Sequence, residues 1–118
     1  MNVKSETTIK LPISLEVLLS ERLKISITEI AEFCQRWHII EFALFGSVLR
    51  DDFRSDSDID VLVVYDPSYQ LTLSDLLDMQ EELAEKFGRE VDLVEKNLIN
   101  NPYRLAHILK THQVIYAK

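Results

Sequence analysis

Two aspartates stand two residues apart where a strongly apolar segment begins. Asp58 and Asp60 flank Ile59, and the β-branched run that continues to Tyr65 predicts a strand. Side chains two apart on a strand leave the same face of a sheet, so these carboxylates are expected within ~7 Å of each other. Like charges so placed repel, and one divalent cation bound by both would offset that repulsion. The alternative is turn and cap chemistry in the loop, which accounts for Asp56 and Asp58 but not for Asp60.

A third aspartate interrupts another apolar segment. Asp92 lies within Val91 to Val94, which also predicts a strand. A charged side chain there is costly unless it binds a metal or, as the alternative, forms a salt bridge to a lysine or arginine. If this strand lies beside that of Asp60, three carboxylates meet, and such a ligand set suits Mg²⁺ or Mn²⁺ rather than zinc. Sites of this kind transfer phosphoryl and nucleotidyl groups, because the metals hold the phosphates and screen their charge.

Gly46 and Ser47 form a second candidate element of a phosphate site. They follow a predicted strand, Glu41 to Phe45, and open a helical turn. Glycine lets the backbone approach a phosphate, the start of a helix offers free N–H donors, and the serine hydroxyl adds one hydrogen bond. The pair alone does not identify such a site, and the chain contains no GxxxxGK[ST] P-loop pattern.

Arginines near these residues are candidates for contacts with phosphate. Arg50 and Arg54 carry guanidinium groups, whose geometry suits phosphate oxygens. Arg50 has the alternative of pairing with an aspartate that follows it, and Arg54 that of a solvated loop residue. Arg104 is open to the same two interpretations on a later helix. His107 and His112 have no partner visible in the sequence and are expected to have surface roles.

Hydrophobic periodicity places these residues on a regular order of elements. Helices are expected over residues 14–23, 26–37, 48–52, 72–87 and 102–110, and strands over residues 41–45, 59–65, 90–95 and 113–116. Residues 1–13 are expected to form a short edge strand or an ordered arm. This order predicts a single domain over residues 1–118, of the α/β or α+β class, with one central sheet.

The composition fits one packed domain and narrows the range of partners. The chain has 118 residues, 47% of them hydrophobic, and its two glycines and three prolines do not suffice for a long flexible linker. Its 20 acidic against 13 basic residues give a net charge of -7, which argues against direct binding of nucleic acid. The single cysteine, Cys34, cannot form an internal disulfide and is expected to be a small buried hydrophobe. Without a signal peptide or a membrane-spanning run, the chain is expected to be cytoplasmic and to have no membrane partner.

The spacing of the candidate residues carries a family resemblance. Gly46-Ser47, ten further residues and Asp58-x-Asp60 resemble the GS-x10-DxD signature of the polymerase-β-type nucleotidyltransferase superfamily. Over residues 26–116 the chain resembles its minimal members, the MNT antitoxins that pair with HEPN-domain ribonuclease toxins. Asp92 stands where that family places its third carboxylate.

The resemblance implies a polymerase-β-like nucleotidyltransferase fold, with a small mixed sheet flanked by helices. It implies a Mg²⁺-dependent enzyme that transfers AMP from ATP to a tyrosine of a cognate HEPN toxin, with which it forms a hetero-oligomer. Asp58, Asp60 and Asp92 would then be catalytic and bind two Mg²⁺ ions, with Mn²⁺ as the alternative. Asp92 would also assist deprotonation of the attacking hydroxyl.

The expected nucleotide-binding residues are Gly46, Ser47 and Arg50, of which the first two would hold the triphosphate. Two other functions stay open at this point. One is a non-catalytic antitoxin that neutralises its toxin by binding, and the other is nucleotidyl transfer to a small molecule. Relatives that modify small molecules usually carry an added substrate domain, for which 118 residues leave no room.

Overall fold

The computed structural model describes residues 14–118, so the arm expected at residues 1–13 lies outside the described part of the chain. The strands are β1 (Ile39–Phe45), β2 (Ile59–Tyr65), β3 (Val91–Glu95) and β4 (Gln113–Ala117). The helices are α1 (Leu15–Val17, continuing as a π-helical turn over Leu18–Leu23), α2 (Ile27–Arg36), α3 (Leu73–Phe87) and α4 (Pro102–Thr111). The strands form one mixed sheet in the order β3-β2-β1-β4, which confirms the expected fold class. β2 and β3 are parallel, whereas β1 is antiparallel to both β2 and β4.

The short helix expected over residues 48–52 is wrong in position and in type. The structure has a 3-10 turn over Gly46–Leu49, called the GS turn below, and the backbone is extended at Arg50. The Arg50 N–H donates to the carbonyl of Ser47 at 2.9 Å and closes the turn. Gly46 begins the turn with a φ of +79°, which glycine adopts at little cost.

The other expected elements agree with the structure to within two residues at each end. Agreement is complete for β2, where an apolar run interrupted only by Asp60 is bounded by polar turns on both sides. None of the helices within residues 14–118 is long and apolar enough to cross a membrane.

Side-chain caps define where the helices around the site begin. Thr72 and Asp75 form a reciprocal capping box at the start of α3, with both hydrogen bonds at 3.0 Å. At the start of α4, the side-chain oxygen of Asn101 accepts from the N–H groups of Tyr103 at 2.9 Å and Arg104 at 3.2 Å. These bonds satisfy backbone donors that a helix start leaves unpaired, so both helices begin at defined residues.

The two faces of the sheet pack against different helices. Alternate residues of β2 beginning with Ile59 enter the larger core, together with α2 and α3. The intervening residue Leu62 belongs to a smaller core with Ile108 of α4 on the opposite face. Since side chains alternate along a strand, Asp60 shares the face of Leu62 and lies on the side of α4. The larger core therefore covers one face of the sheet, and the candidate site lies on the other face.

Cys34 lies fully buried in the larger core, as expected for a small hydrophobic residue. Burial raises the pKa of its thiol to about 12. A thiol in this environment stays protonated at neutral pH and is a poor nucleophile. Cys34 therefore contributes packing rather than chemistry.

Candidate active site

The parallel pairing of β2 with β3 brings two of the expected site aspartates side by side. Asp60 is the register partner of Asp92, and on its other side it is the partner of Phe45 at the end of β1. Because Gly46 follows Phe45 directly, the GS turn begins beside the same carboxylate. This confirms that β2 and β3 are neighbours, on which the expected place of Asp92 in the carboxylate cluster depended.

The structure confirms the position of Asp92 beside Asp60 but leaves its side chain exposed to solvent, so the cost expected for a charge within Val91 to Val94 does not arise from burial. Among residues 14–118, β3 lies at an edge of the sheet. Within residues 14–118 no lysine or arginine forms an ion pair with Asp92, so the salt bridge considered as an alternative is absent there. The side chain stays hydrated on the face that carries Asp60.

Asp60 is the electrostatic centre of the site. Its side chain is half-buried, and burial is the main cause that raises the pKa of its carboxyl group above the ordinary value. The charges of Asp92 and Asp58 raise this pKa further, whereas Arg50 and Arg104 lower it. Two carboxylates and two guanidinium groups therefore lie close enough to Asp60 to influence its ionisation.

Gly46 is required at its position because its neighbour on β2 occupies the space of a side chain. A Cβ built on Gly46 would overlap Oδ2 of Asp60 and lie 3.2 Å from its Cγ. The positive φ of Gly46 adds a second requirement for glycine. The GS turn can therefore pass directly over the Asp60 carboxylate only if residue 46 has no side chain.

A cleft of about 420 Å³ opens between the GS turn and α4. The wall on the side of the GS turn is lined by Gly46, Ser47 and Arg50, and Asp60 lies between this wall and that of α4. Among residues 14–118, the cleft is lined by Phe45, Gly46, Ser47, Arg50, Asp60, Arg104, His107, Ile108 and Thr111. A cleft of this volume lies in the range that holds small-molecule ligands.

The second wall of the cleft is formed by α4, for which the sequence had indicated a phosphate contact only at Arg104, as one of two interpretations. Arg104, His107 and Thr111 of α4 all line it. His107 is exposed, as its expected surface role requires, and its side chain also lines the cleft. Spacings of three and four residues place these polar side chains on one side of a helix, which is a signal present in the sequence. Which side meets the cleft depends on how α4 packs on the sheet.

Of the two arginines between the GS turn and β2, one lines the cleft and the other does not. Arg50 lines the cleft and also pairs with Asp52 through its Nε at 3.1 Å, so both of its expected contacts are compatible with the structure. Arg54 pairs with Asp56 at 3.4 Å, and both side chains are exposed, in agreement with a solvated loop residue.

The donor set of the site fits a divalent cation. Asp58, Asp60 and Asp92 offer carboxylate oxygens, the ligands that Mg²⁺ and Mn²⁺ prefer. The negative charges of the two outer aspartates raise the pKa of Asp60, and a cation would offset this repulsion. Within residues 14–118 the structure does not gather three such side chains into a finished ligand set. Binding of metal by all three aspartates therefore stays a prediction.

Comparisons with known proteins identify the family of this chain. The model of the nucleotidyltransferase domain family matches residues 27–115. A candidate protein adenylyltransferase of Methanocaldococcus jannaschii is 36% identical over 70 residues, covering 58% of this chain and 68% of the relative. The protein adenylyltransferase MntA of Thermococcus cleftensis is 33% identical over 72 residues, covering 59% of this chain and 69% of the relative.

Solved structures share the fold. A candidate minimal nucleotidyltransferase superposes with a TM-score of 0.64 at 28% identity, covering 86% of this chain and 95% of the other. A toxin-antitoxin complex with AMP-PNP gives 0.62 at 18% identity, covering 80% and 75%. The complex of an MNT antitoxin with the tri-AMPylated HEPN toxin of Shewanella oneidensis gives 0.53 at 20% identity, covering 78% and 70%. Since the family model spans most of the chain, the chain belongs to the nucleotidyltransferase domain family.

Proposed function

We propose that this nucleotidyltransferase is an antitoxin that transfers AMP from ATP to a tyrosine hydroxyl of a HEPN-domain toxin. The observation that carries the proposal is the Asp60 carboxylate, which lies under Gly46, in register with Asp92, and faces the cleft. Relatives named protein adenylyltransferases support the reaction. The fold shared with an antitoxin bound to an AMPylated HEPN toxin supports the acceptor, and the AMP-PNP complex supports the nucleotide.

The reaction is a displacement at the α-phosphorus of ATP. The tyrosine oxygen forms a bond to that phosphorus, the bond to the bridging oxygen breaks, and pyrophosphate leaves. Two Mg²⁺ ions held by Asp58, Asp60 and Asp92 would neutralise charge on the phosphates and on the attacking oxygen. Asp92 is exposed at the sheet edge, so an acceptor from another protein can reach it and pass the hydroxyl proton to its carboxylate.

Each wall of the cleft offers groups that can bind the phosphates of the nucleotide. On one wall, the missing side chain of Gly46 admits the phosphates, and the Ser47 hydroxyl can donate to a phosphate oxygen. Arg50 and, on the opposite wall, Arg104 bring positive charge to a chain with a net charge of -7. Guanidinium groups suit phosphate oxygens because their donors form a planar fork.

The acidic balance of the chain favours a protein acceptor over a nucleic acid, because phosphates bind through cationic residues. We infer a hetero-oligomer with the toxin, located in the cytoplasm. The single cysteine, buried and with its pKa raised to about 12, is compatible with a reducing compartment.

The proposal is tested by incubating the chain with radiolabelled ATP, Mg²⁺ and the cognate HEPN protein. Label is expected on a tyrosine of the toxin, together with loss of its ribonuclease activity. The double variant D58A/D60A is expected to remove both effects. If that variant still neutralises the toxin at the same stoichiometry, neutralisation occurs by binding alone and the catalytic proposal fails.

Arg104 supplies a separate prediction about nucleotide binding. R104M is expected to raise KM for ATP about 10-fold, because a charge-assisted hydrogen bond is lost and its aliphatic stem is kept. The matched control is K110M, which removes an exposed basic side chain from the same helix outside the cleft lining. Steady-state kinetics at varied ATP measures both variants. An equal rise of KM in K110M would mean that general charge, not a contact in the cleft, explains the effect.

A further inference from the structure

The loop between the GS turn and β2 must set the distance between Ser47 and Asp58, yet it contains no helix or strand. Residues 50–58 form bends and turns rather than a regular element. Two turns lie along this path: the GS turn just before the loop, closed by the bond from Arg50 N–H to Ser47 O, and a turn within the loop, closed by Ser57 N–H to Arg54 O at 3.0 Å. The Ser57 hydroxyl also accepts from the Arg54 N–H at 3.0 Å. Local bonds hold each turn, but none of these links one turn to the other.

Two arginines from distant parts of the chain donate hydrogen bonds to backbone carbonyl groups of the GS turn and of this loop. Arg22, in the π-helical turn, donates through Nη1 to Val48 O at 2.8 Å and also to Arg50 O. Arg89 follows the C-cap of α3 and donates through Nη1 to Arg54 O at 2.9 Å and Ser57 O at 3.0 Å.

Phe53 connects the two arginines. The guanidinium carbon of Arg22 lies 5.2 Å from the centroid of its ring, and that of Arg89 lies 4.4 Å from it. Both distances are those of cation–π contacts. The ring also packs against the larger core, so it anchors the middle of the loop to the body of the protein.

We propose that Arg22, Phe53 and Arg89 form a clamp that positions Ser47 and Asp58 relative to each other for nucleotide transfer. The three are positioning residues, because the guanidinium donors described above bind backbone carbonyls of the loop. Without the clamp, these carbonyls would bind water and the two turns would move independently, so the ends of the GS-x10-DxD spacing would lose their fixed separation. The kinetic part of this inference rests on the proposed function, whereas the structural part does not.

The structural part is tested by hydrogen exchange of the Arg50 and Ser57 amides, without nucleotide or toxin. R89M is expected to speed exchange of the Ser57 amide about 10-fold, and R22M that of the Arg50 amide, because the turn that each arginine holds opens more often. F53L keeps an apolar side chain against the core and is expected to speed exchange at both amides. Unchanged exchange at these amides in all three variants would overturn the clamp.

The kinetic part is tested by comparing kcat for AMP transfer in R22M, R89M and a matched control. The control is R36M, because Arg36 is also a hydrogen-bonded arginine near an aromatic ring, 6.0 Å from the centroid of Phe33, but its partner is the Glu82 carboxylate and it lies away from the loop. R22M and R89M are expected to lower kcat at least about 10-fold well below their melting temperatures, since small misplacements of reacting groups are costly. R36M is expected to keep kcat even if its melting temperature falls as far. A loss in R36M equal to that in the clamp variants would assign the effect to general stability.

R89K and R22K are the second pair of variants, for the case that R89M or R22M fails to fold. Lysine keeps the charge and one donor group. They are expected to recover part of kcat and part of the amide protection together. If the wild-type chain transfers no AMP but the amide protection responds as described, the proposed function fails and the clamp stands. If AMP transfer occurs and the protection does not respond, the clamp fails alone.

Discussion

D60N is expected to abolish nucleotide transfer and, at the same time, to raise the melting temperature of the protein. The loss of rate should be at least about 1,000-fold, because the amide cannot replace a carboxylate among the metal ligands. The gain in stability should be about 2–4 °C at pH 7 without added metal. This gain in stability follows from the raised pKa of Asp60. Burial and the charges of Asp92 and Asp58 oppose the ionised carboxylate in the folded state, and asparagine carries no charge.

The same pKa shift predicts how this stability difference depends on pH. A folded-state pKa above the ordinary value of 3.8 means that the folded protein binds the proton more tightly than the unfolded chain. The cost of ionising Asp60 is therefore fully present above the folded-state pKa and vanishes below about 3.8. The melting temperatures of D60N and the wild type should converge as pH falls through this window, measured with a chelator present.

The control for Asp60 is D56N, which removes one negative charge from the loop that precedes β2. Asp56 pairs with Arg54 at 3.4 Å, and both side chains are exposed, so the replacement should change neither the rate nor the melting temperature appreciably. A rate for D60N within about 10-fold of the wild type would contradict the role given to this carboxylate. A lower melting temperature for D60N would contradict the electrostatic argument.

G46A is expected to lower the rate of AMP transfer at least about 100-fold and to destabilise the fold. The new Cβ would overlap Oδ2 of Asp60, so the GS turn, the carboxylate or both must move. Displacements of this kind at reacting groups are costly for catalysis. The left-handed backbone at φ +79° adds about 1 kcal/mol of strain for alanine. Kinetics below the melting temperature, together with thermal unfolding, separates the two effects.

G88A is the matched control, because it carries the same backbone strain without the overlap. Gly88 ends α3 with a φ of +71°, and a Cβ at this position meets no atom within 4 Å. G88A should therefore lose about 1 kcal/mol of stability and keep its rate. If G88A and G46A lose equal activity, backbone strain and not the contact with Asp60 explains the requirement for glycine.

Local sequence patterns were sufficient to predict most elements of the fold. The apolar run of β2 and the helical periodicity that Thr72 caps and Gly88 ends depend on neighbours close in sequence, so their bounds were predicted closely. The helical turn that opens at Gly46-Ser47 was expected, but the helix over residues 48–52 was not found. The turn ends at Leu49, where Arg22 from a distant part of the chain binds the carbonyls of Val48 and Arg50. A periodicity argument does not contain that contact.

For the site, the sequence by itself determined Gly46-Ser47 and the aspartates, because a fixed interval and an interrupted apolar strand can be recognised without coordinates. The tertiary structure decided that Asp92 is exposed at a sheet edge, since exposure depends on which strand lies outermost. It also decided that Arg104 and His107 line the cleft, and that Arg22 binds the carbonyls of Val48 and Arg50, which are 26 and 28 residues away. Such contacts join segments that only the packed sheet and helices bring together, and no local pattern records which segments meet.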